Sequence, residues 1–377
     1  MKKTGGKKGI YLLGASSLFN DIGSEMIAPI LPFYVTSLGG TGLAVGLLSG
    51  LREGLASIFK LLGGWYSDKL GKRMPFVSLG YVISVTSRFL LALTTIWQMV
   101  VAFVSIERLG KMRDAPRDVI VSKFTKKRGW GFGVHQTLDT SGAVLGAIFA
   151  LLLIWKLALG LRTIIIIAAT ISAFSIIPLF FVKEIRTKPK KVPLFSNISN
   201  LNSKLKYAIF VISVFSIANF GLYMFMLLRA KEITGTTAGA IALGILFNIT
   251  WASLSTYFGS LSDKIGRKKI ILSGYLLFFL VLLGFVYASS ILFLSILFIL
   301  YGIVYATTQS NQKVLISDLS EKNKGTVFGI YHFCIGISSI VGGTIAGIMW
   351  DISPTTMFVY LSVISLIALV LLFLFKE

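Results

Sequence analysis

The residues of this chain that could do chemistry are ionisable side chains set inside long apolar runs. They are Asp21 and Glu25; Arg52 and Glu53; Arg88; Glu107 and Arg108; Lys111; the group Arg113, Asp114, Arg117 and Asp118; and His135 with Asp139. A charge at such depth is costly and by default marks a function. Asp21 and Glu25 are four apart, hence on one helical face, just ahead of Pro29 and Pro32. A carboxyl group desolvated there could take up and release a proton or hold a cation. The alternative is a fixed ion pair with Arg52 or Arg108 that only sets helix packing. Those two guanidinium groups suit an anionic substrate, or else they neutralise Glu53, Glu107 or Asp21. The helix 4 group mixes signs at spacings of three and four, which reads as a self-neutralising latch or a substrate contact. His135 and Asp139 lie one turn apart and could relay protons. Interfacial hydrogen bonding is the simpler role for His135 and for His332. With Asp21 they make too thin a ligand set for a metal, and no metal or cofactor is expected.

The elements that position these groups follow from composition. The 377 residues are 55% hydrophobic and only 14% charged, far from the roughly one-quarter charged share of soluble domains. About twelve spans of some twenty apolar residues can be traced. They run near 10–38, 43–63, 74–94, 96–120, 131–155, 161–182, 207–230, 237–258, 270–289, 291–314, 325–349 and 355–375. The net charge of +22 comes mostly from alternate short loops, which favours membrane orientation and anionic lipid over nucleic acid. Those basic loops predict a multi-pass protein of the cell membrane with both termini cytoplasmic. The domains expected are an N-terminal six-helix bundle (1–182), a basic cytoplasmic linker (183–206) and a C-terminal six-helix bundle (207–377). A single cysteine, Cys334, excludes an intrachain disulfide.

One loop motif is written twice. Gly64-Trp65-Tyr66-Ser67-Asp68-Lys69-Leu70-Gly71-Lys72-Arg73 begins 195 residues before Gly259-Ser260-Leu261-Ser262-Asp263-Lys264-Ile265-Gly266-Arg267-Lys268. A repeat in so apolar a chain predicts two homologous halves that move about a central site, which makes transport the leading reading. Gly142 and Gly146 match Ser338 and Gly342 one repeat later, at a spacing that lets helix backbones approach closely. The charges are not repeated: 196 residues after Asp139 stands Ile335, and after Arg108 stands Val304. Coupling or charge recognition is therefore expected in the first half. Asn219, Tyr223, Asn248, Trp251, Tyr305 and Gln309 are the polar and aromatic candidates of the second.

Taken over its whole length, the chain resembles the major facilitator superfamily, in its prokaryotic branch. The resemblance rests on the twin motif after helices 2 and 8, the two sets of six spans and the basic linker. It implies an all-α fold of twelve transmembrane helices in two pseudo-symmetric bundles, working by alternating access. The motif would act as a gate. Asp68 would meet the start of helix 11 near Lys324-Gly325-Thr326, and Arg73 or Lys72 would pair with Asp118. Helix 5 departs from the antiporter pattern, since Ala147 stands where a proline follows glycine in many exporters. The expected function is secondary transport of a small solute, proton-coupled, with efflux favoured over uptake or uncoupled passage of a small organic anion or metal chelate. A monomer is expected. No H-E-x-x-H helix, nucleotide loop or G-x-S-x-G near a His/Asp set occurs, so an enzyme or ATP-driven pump is disfavoured.

Overall fold

A computed structural model describes residues 5–186, 189, 202–320 and 324–375, with the backbone alone at 128–129 and 324–325. Most of the expected 183–206 linker, Lys322, and the Lys324-Gly325 side chains expected to face Asp68 lie outside the described residues.

Two compact units divide the chain. The first holds Met1–Gly39 and Leu55–Pro193, and the second Gly40–Gly54 and Leu194–Glu377. The described helices are α1 (Gly6–Ile27), α2 (Leu31–Ser37), α3 (Gly42–Leu70), α4 (Met74–Ala92), α5 (Trp97–Leu109), α6 (Asp114–Phe124), α7 (Arg128–Trp155) and α8 (Leu161–Ala173), then α9 (Ser203–Ala218), α10 (Tyr223–Thr234), α11 (Thr237–Ile265), α12 (Arg267–Val286), α13 (Ile291–Leu319), α14 (Lys324–Ile352) and α15 (Pro354–Leu374). Among the described residues ten segments are long and apolar enough to cross a membrane. The two expected spans missing from that set are the first, which carries Asp21 and Glu25, and the fourth, which carries the buried Glu107, Arg108, Arg113 and Asp114. Both are broken. Ala28-Pro29-Ile30 separates α1 from α2, and a 3-10 stretch, Gly110–Arg113, joins α5 to α6. Proline lacks the N–H an uninterrupted helix needs, and a mid-span 3-10 segment often marks a working position. The seventh span is also interrupted, at Asn219–Leu222 between α9 and α10.

In the first unit α1 is the central element, packed most extensively on α7 and then on α8. A Cβ at Gly142 would sit 2.6 Å from the Leu18 carbonyl oxygen, and one at Gly146 would sit 2.3 Å from that of Ile22. The glycines thus let the two backbones touch. At one end a core of Leu13, Met74, Val77, Tyr81, Ile120, Val121, Leu179 and Val182 closes the bundle. There Glu184 accepts hydrogen bonds from the Arg73 and Met74 amides, capping α4.

Within the second unit the first half of α3 lies against α14 through glycines at every fourth position. Cβ atoms at Gly46 and Gly54 would fall 2.1 Å and 2.6 Å from the carbonyls of Gly343 and Gly336. Asp351 accepts from the Gly42 and Leu43 amides, so a carboxylate meets the positive start of α3.

Candidate functional site

The close approach of α1 and α7 brings two short carboxylates together. Asp139 lies one turn before Gly142, and Asp21 lies between Leu18 and Ile22, so the touching backbones place both at the seam. Their carboxyl groups lie close enough to act on each other directly. Ser17 donates to Asp139 at 2.5 Å and Arg117 donates to Ser17 at 3.0 Å. Asn20 donates to Asp21 at 2.9 Å. Two carboxyl groups this close can bond to each other when one of them carries a proton. Glu25, expected beside Asp21, instead packs its Cβ near Gly146.

This pair opens into a cavity of about 510 Å³ lined by four basic and four acidic side chains. They are Lys60, Lys111, Arg113 and Arg117, and Asp21, Asp114, Asp118 and Asp139; His135, Gln136 and Phe132 complete the wall. Arg117 lies 3.8 Å from both Asp114 and Asp118. Arg113 is buried, donates to Ser84 at 2.7 Å and to the Gly110 carbonyl at 3.0 Å, and covers the Tyr81 ring. It is a packing residue, whereas Arg117 reaches the carboxyl pair. His135 Nε2 is buried without a hydrogen-bond partner, on the same wall.

Deeper in the bundle Glu107 is shared by two guanidinium groups, Arg88 at 2.9 Å and Arg108 at 2.5 Å. Arg88 also donates to the Asn20 carbonyl at 2.9 Å and to Ser172 at 2.6 Å. A polar thread therefore runs from Arg117 through Ser17, Asp139, Asp21 and Asn20 to Arg88, Glu107 and Arg108. Ser17 and Lys60 were not singled out by the sequence; a serine four residues before Asp21 is the one signal that could have flagged the first. Of the two arginines proposed for an anion, Arg108 is held by Glu107.

The loop motif folds on itself in each copy. Arg73 binds Asp68 and donates to Ser67 at 2.6 Å, and Ser67 in turn donates to the Gly64 carbonyl. Asp118, expected to meet Arg73 or Lys72, lies 3.8 Å from Arg117, its neighbour in sequence. In the second copy Arg267 binds Asp263 and Ser262, Ser262 donates to the Gly259 carbonyl, and Arg267 also faces Asp318 at 3.6 Å. Lys268 instead reaches the carbonyls that end α15. Gly71 and Gly266 turn with φ of 66° and 98°, where a side chain is strained.

In the second unit Tyr223, Trp251 and Tyr305 join Phe247 and Tyr301 in one ring cluster. Phe247 stands 5.4 Å from Tyr223, 6.0 Å from Trp251, 5.0 Å from Tyr301 and 5.2 Å from Tyr305. Tyr301 donates to Asn219 at 2.8 Å, at the break between α9 and α10. Asn248 and Gln309 make no hydrogen bond to this cluster among the described residues. Arg52 and Glu53 stand on the stretch of α3 that belongs to this unit. His332 lies against Phe328 and Tyr331.

Many long apolar helices, a polar thread at bilayer depth and a charged cavity define a multi-pass membrane transporter. The Major Facilitator Superfamily model matches residues 13–254 and again 208–377. The chain belongs to the major facilitator superfamily. It is 44% identical to an uncharacterized MFS-type transporter, MJ1317, of Methanocaldococcus jannaschii, over 97% of this chain and 94% of that one. A multidrug resistance protein MdtG of Escherichia coli is 24% identical over 89% of this chain and 84% of its own. Among solved structures, the nucleoside transporter NupG superposes with a TM-score of 0.83 at 14% identity, covering 98% of this chain and all of that one. That likeness carries the fold. Transport rather than catalysis is the activity these findings support.

Proposed function

We propose that the chain is a proton-coupled secondary transporter of a small solute, located in the cell membrane and working by alternating access in the export direction. The observation that carries this reading is the close Asp21–Asp139 carboxyl pair on the wall of the charged cavity, a pair suited to share one proton. A site that holds one proton and sits beside Arg117 can exchange it as the cation approaches or withdraws. Export is supported by the likeness to multidrug resistance proteins. The competing anion reading loses support because Glu107 occupies Arg108. The two units at Gly39/Gly40, Gly54/Leu55 and Pro193/Leu194 are the moving parts we propose, and the Asp68 and Asp263 loops the gates at their inner ends.

The test uses purified protein in liposomes with a trapped pH dye and panels of cationic, neutral and anionic solutes. A solute-evoked proton flux is expected in the wild type, and loss of it in Asp21→Asn and Asp139→Asn at unchanged folding. Flux that survives in both variants overturns the assignment.

A further inference from the structure

Glu53 is the one carboxylate of the candidate set placed at the ring cluster. It stands on α3 at the flank of the glycine seam with α14, one turn after Ser49, exposed and without an ion pair among the described residues. Its surroundings are fixed by the break between α9 and α10. Gly221 turns there with φ of 99°, and a Cβ on it would fall 3.2 Å from Glu53 Cγ and 2.7 Å from Ser49 Oγ. Ser49 donates to the Gly221 carbonyl at 2.5 Å. The carboxylate acts electrostatically on both Tyr301 and Tyr305.

The rings beyond it are arranged as a wall. Phe247 and Tyr301 are buried, while Tyr223, Trp251 and Tyr305 are half-buried, with faces left over. The Tyr301 hydroxyl is already used, donating to Asn219 at 2.8 Å, and Tyr305 lies beside both. What the cluster chiefly offers a ligand is ring face. An aromatic face attracts a cation within about 6 Å through its quadrupole. A carboxylate at bilayer depth needs a positive counter-charge. A neutral ligand would leave Glu53 uncompensated, and an anion would be repelled by it.

We infer that Glu53 and the Tyr223–Phe247–Trp251–Tyr301–Tyr305 cluster form a subsite for a lipophilic organic cation. The inference rests on the transport reading above and adds the charge class of the solute. The carboxylate sets that class, and the rings hold the apolar body of whatever carries the charge.

The test is equilibrium binding to the full chain in lipid nanodiscs, with empty discs as background. Tetraphenylphosphonium and tetraphenylborate share a shape and differ in the sign of charge. Phosphonium is expected to bind at least about tenfold tighter than borate. Glu53→Gln should remove that preference, Glu53→Asp should retain most of it, and Trp251→Ala should weaken phosphonium. Melting curves and size-exclusion profiles of each variant establish folding, and the Asp variant guards against a purely structural effect. Equal affinity for borate, or an unchanged preference in folded Glu53→Gln, overturns the subsite. Failure of the transport reading looks different. Glu53-dependent phosphonium binding without any evoked proton flux would refute proton coupling and leave the subsite standing. Proton flux evoked by anionic or neutral solutes alone, with no Glu53-dependent binding, would do the reverse.

Discussion

Substituting Gly142 by alanine should open the seam that makes the proton site. The added Cβ would sit 2.6 Å from the Leu18 carbonyl oxygen and 3.1 Å from Leu18 Cα. Both neighbours are backbone, so no side chain can rotate away. Reaching an ordinary contact near 3.4 Å needs α1 and α7 to part by about 1 Å in a densely packed seam. Overpacking of this kind costs about 1–3 kcal/mol. The same displacement carries the Asp21–Asp139 and Ser17–Asp139 contacts beyond hydrogen-bonding range. Gly133→Ala in the same helix is the internal control, because nothing lies within 4 Å of its Cβ. It should stabilise by about 0.5–1 kcal/mol, the ordinary gain from replacing a helical glycine. Reversible unfolding in mixed micelles reads both signs, and the liposome pH dye reads coupling. Gly142→Ala as stable as Gly133→Ala, or a folded Gly142→Ala with full proton flux, would refute the claim that close backbone approach builds the site.

Two further outcomes follow from the ion pairs. Glu107→Ala leaves the Arg88 and Arg108 guanidinium groups buried around an empty position, and unfolding measurements should show a loss of about 3–5 kcal/mol. Glu107→Gln, which keeps acceptor capacity for one of them, should fall between that variant and wild type. Asp68→Asn removes a half-exposed partner of Arg73, so stability should change by less than about 1 kcal/mol. If the loop is a gate, transport and the balance of inward- and outward-open forms, read by cysteine accessibility, should change all the same. Unchanged values would reduce the motif to a loop that orients helices.

The sequence exposes the number of spans because each apolar run must satisfy its backbone internally. Ten runs read directly as spanning helices, and the two that do not are those interrupted by Pro29 and by the Gly110–Arg113 turn. The break at Asn219–Leu222 was hidden, since the run stays apolar through it and Gly221 is only one of 37 glycines. Charged residues were legible as a set. Their partners were not, because pairing depends on helix rotation and separation. Asp21 and Glu25 share a face by spacing, yet α7 approaches at Leu18 and Ile22 and so selects Asp21. Arg88 looked isolated in its helix, although Glu107 and the Asn20 carbonyl meet it in space. Gly142 and Gly146 were the readable clue to that geometry, since only small residues permit the approach.

The asymmetry between the units has a physical logic. A duplicated scaffold keeps the features that both copies need to fold: the Ser-Asp-x-x-Gly turn with its basic partner closes on itself at Asp68 and again at Asp263. Chemistry that titrates cannot be copied so freely, because each additional buried carboxylate demands its own partners or destabilises the span. The first unit therefore concentrates the thread from Arg117 to Arg108, where every charge has a neighbour of opposite sign or a carboxyl partner suited to share one proton. Across the repeat Asp139 gives way to Ile335, and the second unit carries aromatic rings with the carboxylate of Glu53, lent by α3, beside them. Because α3 contributes its first half to the second unit and its remainder to the first, Glu53 and the cavity residue Lys60 ride on a single helix two turns apart. Any bending or tilting of α3 on filling the ring cluster would be felt at Lys60, which faces Asp118 and the charged cavity.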